Sequence, residues 1–324
     1  MSINRRAAVL SLPLLLCAAP WLAHAQAYPE KPIHVVVPFA PGGPADAVAR
    51  MLGQELVDTL GQPFIVENKV GAAGNIGVAQ IAKAAPDGYT LGIVPVGNVA
   101  VNPSLFPSLP YKVSELQPVA MLAVVENVLV VNASVPARSV KELLALARQK
   151  PGTLSFASPG AGSQAHLAGE LMALDGDVQL IHVPYKGIGP ALNDVVGGQV
   201  TMMFGSLSAV LPFVKSGKLR AIGLASLKRS AAMPELPTVA EQGLPGFEAI
   251  SWYALMAPAG TPKAVVERLN AETARVLAKP EMKEKFAGLG LEPGTGKPQD
   301  IAASIQSESA RWAAVIRKRN IKPE

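Results

Sequence analysis

The sequence has few of the residue types that usually carry catalysis or bind metals. It contains one cysteine, Cys17, and four histidines among 324 residues, and aromatic residues make up only 5% of the chain. A single cysteine excludes an intrachain disulfide and a cysteine-rich metal site. The chain also lacks an HExxH motif, a GxSxG motif, a Walker phosphate loop and an acidic metal cluster. We therefore expect no metal, no cofactor and no enzyme activity.

The chain has few charged residues, and the positive ones are only slightly in excess. Charged residues make up 16% of the chain and the formal net charge is +5. No basic run is interleaved with aromatic residues, so we do not expect nucleic-acid binding. The small positive excess is compatible with an anionic small ligand, and equally with a protein that has no anionic partner.

The chain has one long apolar run, and it lies at the N-terminus. Arg5 and Arg6 precede an apolar stretch at residues 7–19, which is followed by Ala23-His24-Ala25. A charged start, an apolar middle and an A-x-A site are typical of a secretory signal peptide. We expect residues 1–25 to be removed, by the Sec or the twin-arginine route, and the remaining chain to be periplasmic. No later apolar segment is long enough to cross a bilayer.

After this segment, apolar β-branched runs alternate with helical patterns. The first run covers residues 33–37, residues 251–257 read as a return strand, and two amphipathic stretches at 262–277 and 298–319 end the chain. Such alternation favours parallel sheets with helices on both faces. Because the series occurs twice, we predict two lobes with a cleft between them.

In each half, a strand ends in a loop rich in proline and glycine that opens a helix. The two loops are PFAPGGPAD at residues 38–46 and SPGAGS at residues 158–163. A helix N-terminus presents unpaired N–H groups and a positive dipole end, which suits an anion. Ligands of open parallel sheets bind beyond the carboxyl ends of the strands. The loops predict an anion site in the cleft, with simple turn geometry as the alternative explanation for each.

Seven segments, in order along the chain, resemble the Bug receptors, the extracytoplasmic solute-binding proteins of tripartite tricarboxylate transporters. The segments include PFAPGGPAD and HVPYKG. They lie at residues 38–46, 66–69, 71–77, 84–91, 182–187, 217–221 and 243–248.

The resemblance implies an α/β fold of the type-II periplasmic binding protein kind. Such a fold has two lobes with mainly parallel sheets flanked by helices and a central ligand cleft. It implies that residues 26–126 plus 251–324 form lobe 1 and that residues 127–250 form lobe 2. It further implies a monomeric receptor, not an enzyme, that captures a small carboxylate and delivers it to the membrane permease subunits of a tripartite tricarboxylate transporter.

We predict that the ligand-binding residues lie in the loops at the strand ends. Asp46 and Ser163 also fit helix-capping roles, and Lys186 fits a solvent-exposed position. The predicted residues in lobe 1 are Phe39, Pro41, Gly42, Gly43, Ala45, Asp46, Gly97 and Asn98. The predicted residues in lobe 2 are Ser158, Gly160, Ala161, Gly162, Ser163, Tyr185, Lys186, Gly187, Gly205 and Ser206.

The sequence departs from the family pattern at two of these places. Ala45 stands where Thr or Ser is frequent in the family, so a hydroxyl is missing. Gly205 and Ser206 stand where many relatives carry Asp, an acid that would suit a ligand's ammonium group. The second departure disfavours an amino-acid ligand.

Two other functions remain open. A sensory binding protein, which presents its liganded form to a sensor protein, would have the same sequence features as a transport receptor. An exported hydrolase using Ser163 and His166 has less support, because the two residues are i,i+3 neighbours on one helix and no acid is placed to orient the histidine.

Overall fold

The computed structural model describes residues 28–323, so the expected signal peptide at residues 1–25 lies outside the described residues. The described chain folds into two β-sheets covered by helices. The strands are β1 Ile33–Val37, β2 Phe64–Asn68, β3 Thr90–Pro95, β4 Leu116–Val125, β5 Asn127–Asn132, β6 Ser155–Ser158, β7 Ile181–Pro184, β8 Met202–Ser206, β9 Leu219–Leu224, β10 Ser251–Pro258 and β11 Glu292–Pro293.

The helices alternate with these strands over most of the chain. A π-helical turn, Gly97–Val101, leads directly into the short helix α3. The helices are α1 Pro44–Leu60, α2 Asn75–Ala82, α3 Asn102–Leu105, α4 Val140–Gln149, α5 Gln164–Asp175, α6 Ile188–Val196, α7 Leu207–Lys215, α8 Lys263–Leu277, α9 Pro280–Gly288 and α10 Pro298–Arg319. Within residues 28–323, no helix combines the length and the apolar character that crossing a membrane requires.

The first sheet has the strand order β11-β4-β10-β3-β1-β2. Strands β1, β2 and β3 pair in parallel, whereas β10 pairs antiparallel with both β3 and β4. The return strand predicted at residues 251–257 is therefore confirmed as β10, and it lies in the middle of the sheet. We call this sheet and the helices packed on it lobe 1.

The second sheet has the strand order β7-β6-β8-β5-β9. Strands β6, β7 and β8 are parallel, and β5 runs antiparallel to its neighbours β8 and β9. In each sheet most strands point one way, which agrees with the predicted fold class. We call this sheet and its helices lobe 2.

Local sequence explains where the elements begin and end. Four of the five residues of β1 are buried, as expected for a strand covered on both faces. Helix α1 starts with Pro44 in its first turn and stops at Gly61, whose φ of 72° is the left-handed conformation that glycine adopts freely. Helix α4 begins after Ser139, whose side chain accepts a hydrogen bond from the Glu142 N–H, the usual role of serine at a helix N-cap.

The chain crosses between the sheets near residues 126 and 250, and one side chain ties the crossings together. Asn127, the first residue of β5, donates from Nδ2 to the Ala249 carbonyl at 2.7 Å and to Ser251 Oγ at 3.4 Å. Helix α10 of lobe 1 packs against α5 of lobe 2. Trp312 of α10 belongs to a buried apolar cluster that also contains Val96 of lobe 1 and Phe156 of lobe 2.

Gly77 gives a test of the packing of α2 on the end of β1. A Cβ at this position would lie 2.9 Å from Pro38 Cα and 3.0 Å from the Lys69 carbonyl oxygen, and both are backbone atoms. Overpacking of this kind costs about 1–3 kcal/mol, so we expect Gly77→Ala to lower the free energy of unfolding by that amount in denaturant titrations.

Gly288→Ala is the matched control, because a Cβ at this exposed helical glycine would meet nothing within 4 Å. We expect it to leave stability unchanged within about 0.5 kcal/mol or to raise it. Equal effects of the two substitutions would contradict the packing.

Candidate functional site

A cavity of about 600 Å³ lies between the two lobes. Its walls come from the end of β3 and the helical segment after it, from the loop before α5, and from the start of β10. The lining residues are Phe39, Ala73, Pro95, Val96, Gly97, Asn98, Asn102, Leu105, Phe106, Pro159, Gly160, Ala161, Gly162, Ser163, Gln164, Ser251, Trp252 and Tyr253.

The lobe 1 wall contains the opening of a helical segment. Val96, Gly97 and Asn98 line the cavity at the point where β3 gives way to the π-helical turn. The first N–H groups of a helical segment have no partner inside it. A Cβ at Gly97 would meet nothing within 4 Å, so a ligand has room to approach the backbone there.

A buried polar network holds this wall in place. Asn75 Oδ1 accepts hydrogen bonds from Asn98 Nδ2 at 2.9 Å and from Asn102 Nδ2 at 2.7 Å. The Tyr111 hydroxyl lies 3.0 Å from the same oxygen and 2.6 Å from the Asn98 carbonyl, and burial raises the pKa of Tyr111 to about 12. Because these groups are buried, their mutual hydrogen bonds fix the conformation of the wall.

The lobe 2 wall is the loop at residues 158–163, and its polar groups are largely bonded to one another. Ser163 caps α5: its Oγ accepts from the His166 N–H at 3.3 Å and donates to the Gly160 carbonyl at 2.7 Å. The Gly160 N–H donates to Ser158 Oγ at 3.2 Å, and the Gly162 N–H donates to His166 Nδ1 at 3.0 Å. The N–H groups of both glycines therefore already have partners.

Two stacked histidines support this loop from behind. The rings of His166 and His182 lie parallel at 3.7 Å, with Phe156 5.0 Å from His182. His182 Nε2 is 2.6 Å from Ser158 Oγ. Burial, and secondarily the neighbouring His166, lowers the pKa of His182 to about 4, so His182 is neutral at pH 7.

The histidine stack is connected to lobe 1 through a buried carboxylate. His166 Nε2 lies 3.6 Å from Glu170 Oε1, and the other oxygen of Glu170 accepts a hydrogen bond from Arg319 Nε at the end of α10. Since Gly162 donates to Nδ1 of the same imidazole, a continuous chain of polar contacts runs from α10 to the cavity loop.

The lobes touch each other at the rim of the cavity. Gly162 of lobe 2 has a φ of 75°, and a Cβ there would lie 2.2 Å from Leu105 Cδ2 of lobe 1. Nearby, Gln164 Nε2 donates to the Ile250 carbonyl at 3.0 Å, just before β10. The positive φ favours glycine at position 162, and any side chain there would require Leu105 to shift.

The cavity has an unusual electrostatic character for an anion site. None of its lining residues, all within the described part of the chain, carries a charged side chain. Four of them are aromatic: Phe39, Phe106, Trp252 and Tyr253. The cavity therefore offers apolar surface, amides, hydroxyls and backbone N–H groups.

The structure brings some of the sequence-predicted site residues to this cavity and leaves the others outside it. Those that line it are Phe39, Gly97, Asn98, Gly160, Ala161, Gly162 and Ser163. Those that do not line it are Pro41, Gly42, Gly43, Ala45, Asp46, Ser158, Tyr185, Lys186, Gly187, Gly205 and Ser206.

Asp46 instead holds the first loop together. Its carboxylate accepts hydrogen bonds from the Gly42 N–H at 3.0 Å, from Arg50 Nε and Nη2 at 3.0 Å each, and from Asn68 Nδ2 at 3.0 Å. The Arg50 hydrogen bonds are the main reason that the pKa of Asp46 falls to about 2. The neighbouring Ala45 is buried in the lobe 1 core.

Other predicted residues also have local partners or positions away from the cavity. The Tyr185 hydroxyl contacts Asp194 Oδ2 at 2.6 Å, and Lys186 is exposed. Ser158 is fully buried behind the loop, and Gly205 packs against Val210.

The geometry does not assemble the Ser163–His166 pair of a hydrolase. In the described chain, the Ser163 hydroxyl bonds to the Gly160 carbonyl and to the backbone N–H of His166, not to its imidazole. His166 Nδ1 accepts from Gly162 and is not positioned to take a proton from Ser163. Residues 28–323 also contain no group of three or more His, Cys, Asp or Glu placed to hold a metal ion.

Eleven of the eighteen lining residues were not predicted from the sequence. Gly97 and Asn98 were predicted as site residues at the end of a strand, but the helical segment that follows and ends at Leu105 was not predicted. The sequence Val96-Gly97-Asn98-Val99-Ala100-Val101 has helical spacing of apolar residues, but its glycine and the Asn102-Pro103 pair resemble a turn. Tyr253 follows from the predicted return strand only once β10 is known to lie beside β3.

Comparison with known proteins identifies the family. The sequence model described as the tripartite tricarboxylate transporter family receptor, TctC, matches residues 48–321. The chain belongs to this family. It is 40% identical to the protein BugT of Bordetella pertussis over 324 residues, covering 99% of each chain. It is 41% identical over 318 residues to a protein in the tcbD-tcbE intergenic region of Pseudomonas sp. strain P51, covering 97% of this chain and 94% of the relative.

Solved structures of family members have the same fold. Rpa4515 of R. palustris, solved with adipate, is 36% identical with a TM-score of 0.76, covering 92% of this chain and all of that chain. MatC of Rhodopseudomonas palustris, solved with bound malate, is 35% identical with a TM-score of 0.72, covering 89% of this chain and all of that chain. The predicted family and fold are thus confirmed: the TctC family comprises extracytoplasmic solute-binding receptors.

The lowered pKa of His182 predicts a pH dependence of stability. Between about pH 4 and pH 6.5 the unfolded histidine binds a proton that the folded one does not, so this group's contribution to folding stability falls as pH is lowered through that window. We expect the melting temperature of the wild-type protein to fall relative to that of His182→Gln over the same window. If the melting temperatures of the two proteins changed with pH in the same way, the burial of a neutral His182 would be contradicted.

Proposed function

We propose that the protein is a periplasmic receptor that binds a small carboxylate in the interlobe cavity and delivers it to permease subunits of a tripartite tricarboxylate transporter. The observation that carries the proposal is the cavity itself, in which the helix opening at Gly97 in lobe 1 and the helix opening at Ser163 in lobe 2 share one space. Membership of the receptor family supports the transport role. The adipate and malate in the related structures support a carboxylate as the ligand class.

The free energies of hydrogen bonding and apolar burial are large enough to bind a carboxylate without a basic side chain in the cavity. A net hydrogen bond to a charged group contributes roughly 1.5–3 kcal/mol. Micromolar affinity requires about 8 kcal/mol. A few such bonds, with burial of apolar ligand surface against the aromatic walls, reach that value after association costs.

The contact between Gly162 and Leu105 supports capture by closure of the two lobes. The lobes are joined by the crossings near residues 126 and 250 and by α10, while the cavity rim is closed by Gly162 of one lobe and Leu105 of the other. Opening this rim by a hinge motion at the crossings would admit the solute. In this proposal the receptor works as a monomer, with the signal peptide at residues 1–25 directing export.

Titration calorimetry tests the ligand class. We expect the mature chain to bind at least one of adipate, malate and benzoate with a dissociation constant in the micromolar range or below, and to bind the corresponding amides far more weakly. The reason is that a hydrogen bond from a cavity donor is stronger when its acceptor is charged. Equal binding of an acid and its amide, or binding of the amides alone, would contradict a carboxylate receptor.

Gly162→Ala tests closure at the rim. The added methyl group overlaps Leu105 only when the lobes meet, so overpacking of about 1–3 kcal/mol should weaken acid binding roughly 5- to 150-fold. Gly217→Ala is the control, because its φ of 73° imposes similar backbone strain but a Cβ there would meet nothing within 4 Å.

Both variants should lose similar thermal stability, whereas only Gly162→Ala should lose affinity. Leu105→Ala in the Gly162→Ala background should recover part of the affinity, because it removes the overlapping side chain. Equal acid affinities of the two glycine variants would show that the rim contact has no role in binding.

A further inference from the structure

Tyr253 has a hydroxyl that makes no hydrogen bond in the described chain, whereas the hydroxyls of the cavity residues Ser163 and Ser251 each take part in at least one. Tyr253 lies on β10, paired with Pro95 of β3, and both residues line the cavity. Its hydroxyl has no hydrogen-bond partner within residues 28–323, and the oxygen remains accessible to solvent. Because the oxygen is accessible on a residue that lines the cavity and no protein group competes for its proton, the hydroxyl can donate to a ligand there.

Several other side-chain and loop donors of the cavity are already engaged. Asn98 Nδ2 donates to the Ala73 carbonyl at 3.1 Å and to Asn75 Oδ1 at 2.9 Å, which uses both of its protons. Ser163 Oγ donates to Gly160, and the Trp252 indole donates to Glu308 Oε1 at 2.7 Å. The N–H groups of Gly160 and Gly162 also have partners within the loop.

The surroundings of Tyr253 keep its hydroxyl protonated. Burial is the only cause that raises its pKa above the usual value of 10, and no cation is placed to stabilise the phenolate. Over the physiological range the group is therefore a neutral donor. A phenol that donates to a carboxylate forms a short, charge-assisted hydrogen bond.

We propose that the Tyr253 hydroxyl donates a hydrogen bond to the carboxylate of the bound solute. This hydrogen bond would serve the role that a basic side chain has in other anion sites. This assignment rests on the proposed function and makes Tyr253 a specificity-determining residue for acids over neutral solutes. It places the carboxylate at the lobe 1 wall, beside Pro95 and the helix opening at Gly97. The apolar body of the solute then lies towards Leu105, Phe106 and the loop of lobe 2.

Tyr253→Phe removes the donor while keeping the ring. We expect titration calorimetry with adipate and with benzoate to show roughly a ten- to 150-fold loss of affinity, the value of one hydrogen bond to a charged group. The melting temperature of the ligand-free protein should not fall, because the hydroxyl has no partner to lose.

Tyr185→Phe is the matched control. Its hydroxyl bonds to Asp194 outside the cavity, so this variant should lose thermal stability and keep its affinity for both acids. A second readout is ultraviolet difference spectroscopy of the wild type and both variants. Adipate, which is transparent in the near ultraviolet, should produce a tyrosine difference spectrum in the wild type and in Tyr185→Phe but not in Tyr253→Phe.

The outcomes separate this assignment from the proposed function. Wild-type binding of adipate or benzoate with unchanged affinity in Tyr253→Phe overturns the assignment and leaves the carboxylate receptor in place. A tyrosine difference spectrum that persists in Tyr253→Phe has the same meaning. Failure of the wild type to bind any of the acids overturns the carboxylate receptor and the assignment together.

Discussion

An anion in the interlobe cavity has to exchange its water for neutral hydrogen-bond donors. No charged side chain of residues 28–323 lines the cavity, so the proposed carboxylate would have no direct salt bridge to them there. Neutral donors compensate for lost hydration only if they are already oriented, because each donor that must be ordered on binding reduces the net gain. The rest of the site can be understood as the means by which the protein orients its walls before the solute arrives.

The two walls are held by different buried networks. In lobe 1, Asn75 gathers Asn98, Asn102 and Tyr111 around a single carbonyl oxygen and thereby fixes the helix opening after β3. In lobe 2, the loop's own glycines donate to Ser158 and His166. The second network continues through Glu170 to Arg319 of α10, so the packing of the two lobes and the shape of the loop depend on the same buried groups.

Sequence periodicity was sufficient for the longer strands and for the two-lobe organisation, but it did not indicate the two-residue strand β11. The runs at residues 33–37 and 251–257 and the amphipathic stretch at 298–319 correspond to β1, β10 and α10, because apolar spacing directly reflects which face is buried. The fold class and the family followed from ordered motifs spread over the chain. Phe39, Gly97, Asn98 and the loop at 160–163 were predicted as site residues and lie on one cavity.

The rest of the site depends on tertiary contacts that no local pattern contains. The loop at residues 41–46 does not line this cavity, and Arg50 and Asn68 bond to its Asp46; its ligand contacts stay a prediction. The role of Gly162 depends on Leu105, which precedes it by 57 positions and lies in the other lobe. Tyr253 lies beside Pro95 only because the return strand inserts between β3 and β4.

A crystal structure of the mature chain grown with adipate tests the central claim most directly. We expect electron density for the diacid between Gly97 and Ser163, with one carboxylate within hydrogen-bond distance of the Tyr253 hydroxyl and no lysine or arginine in contact with it. Adipate bound outside this cavity, or held by an ion pair to a basic side chain, would contradict an anion site built from neutral donors.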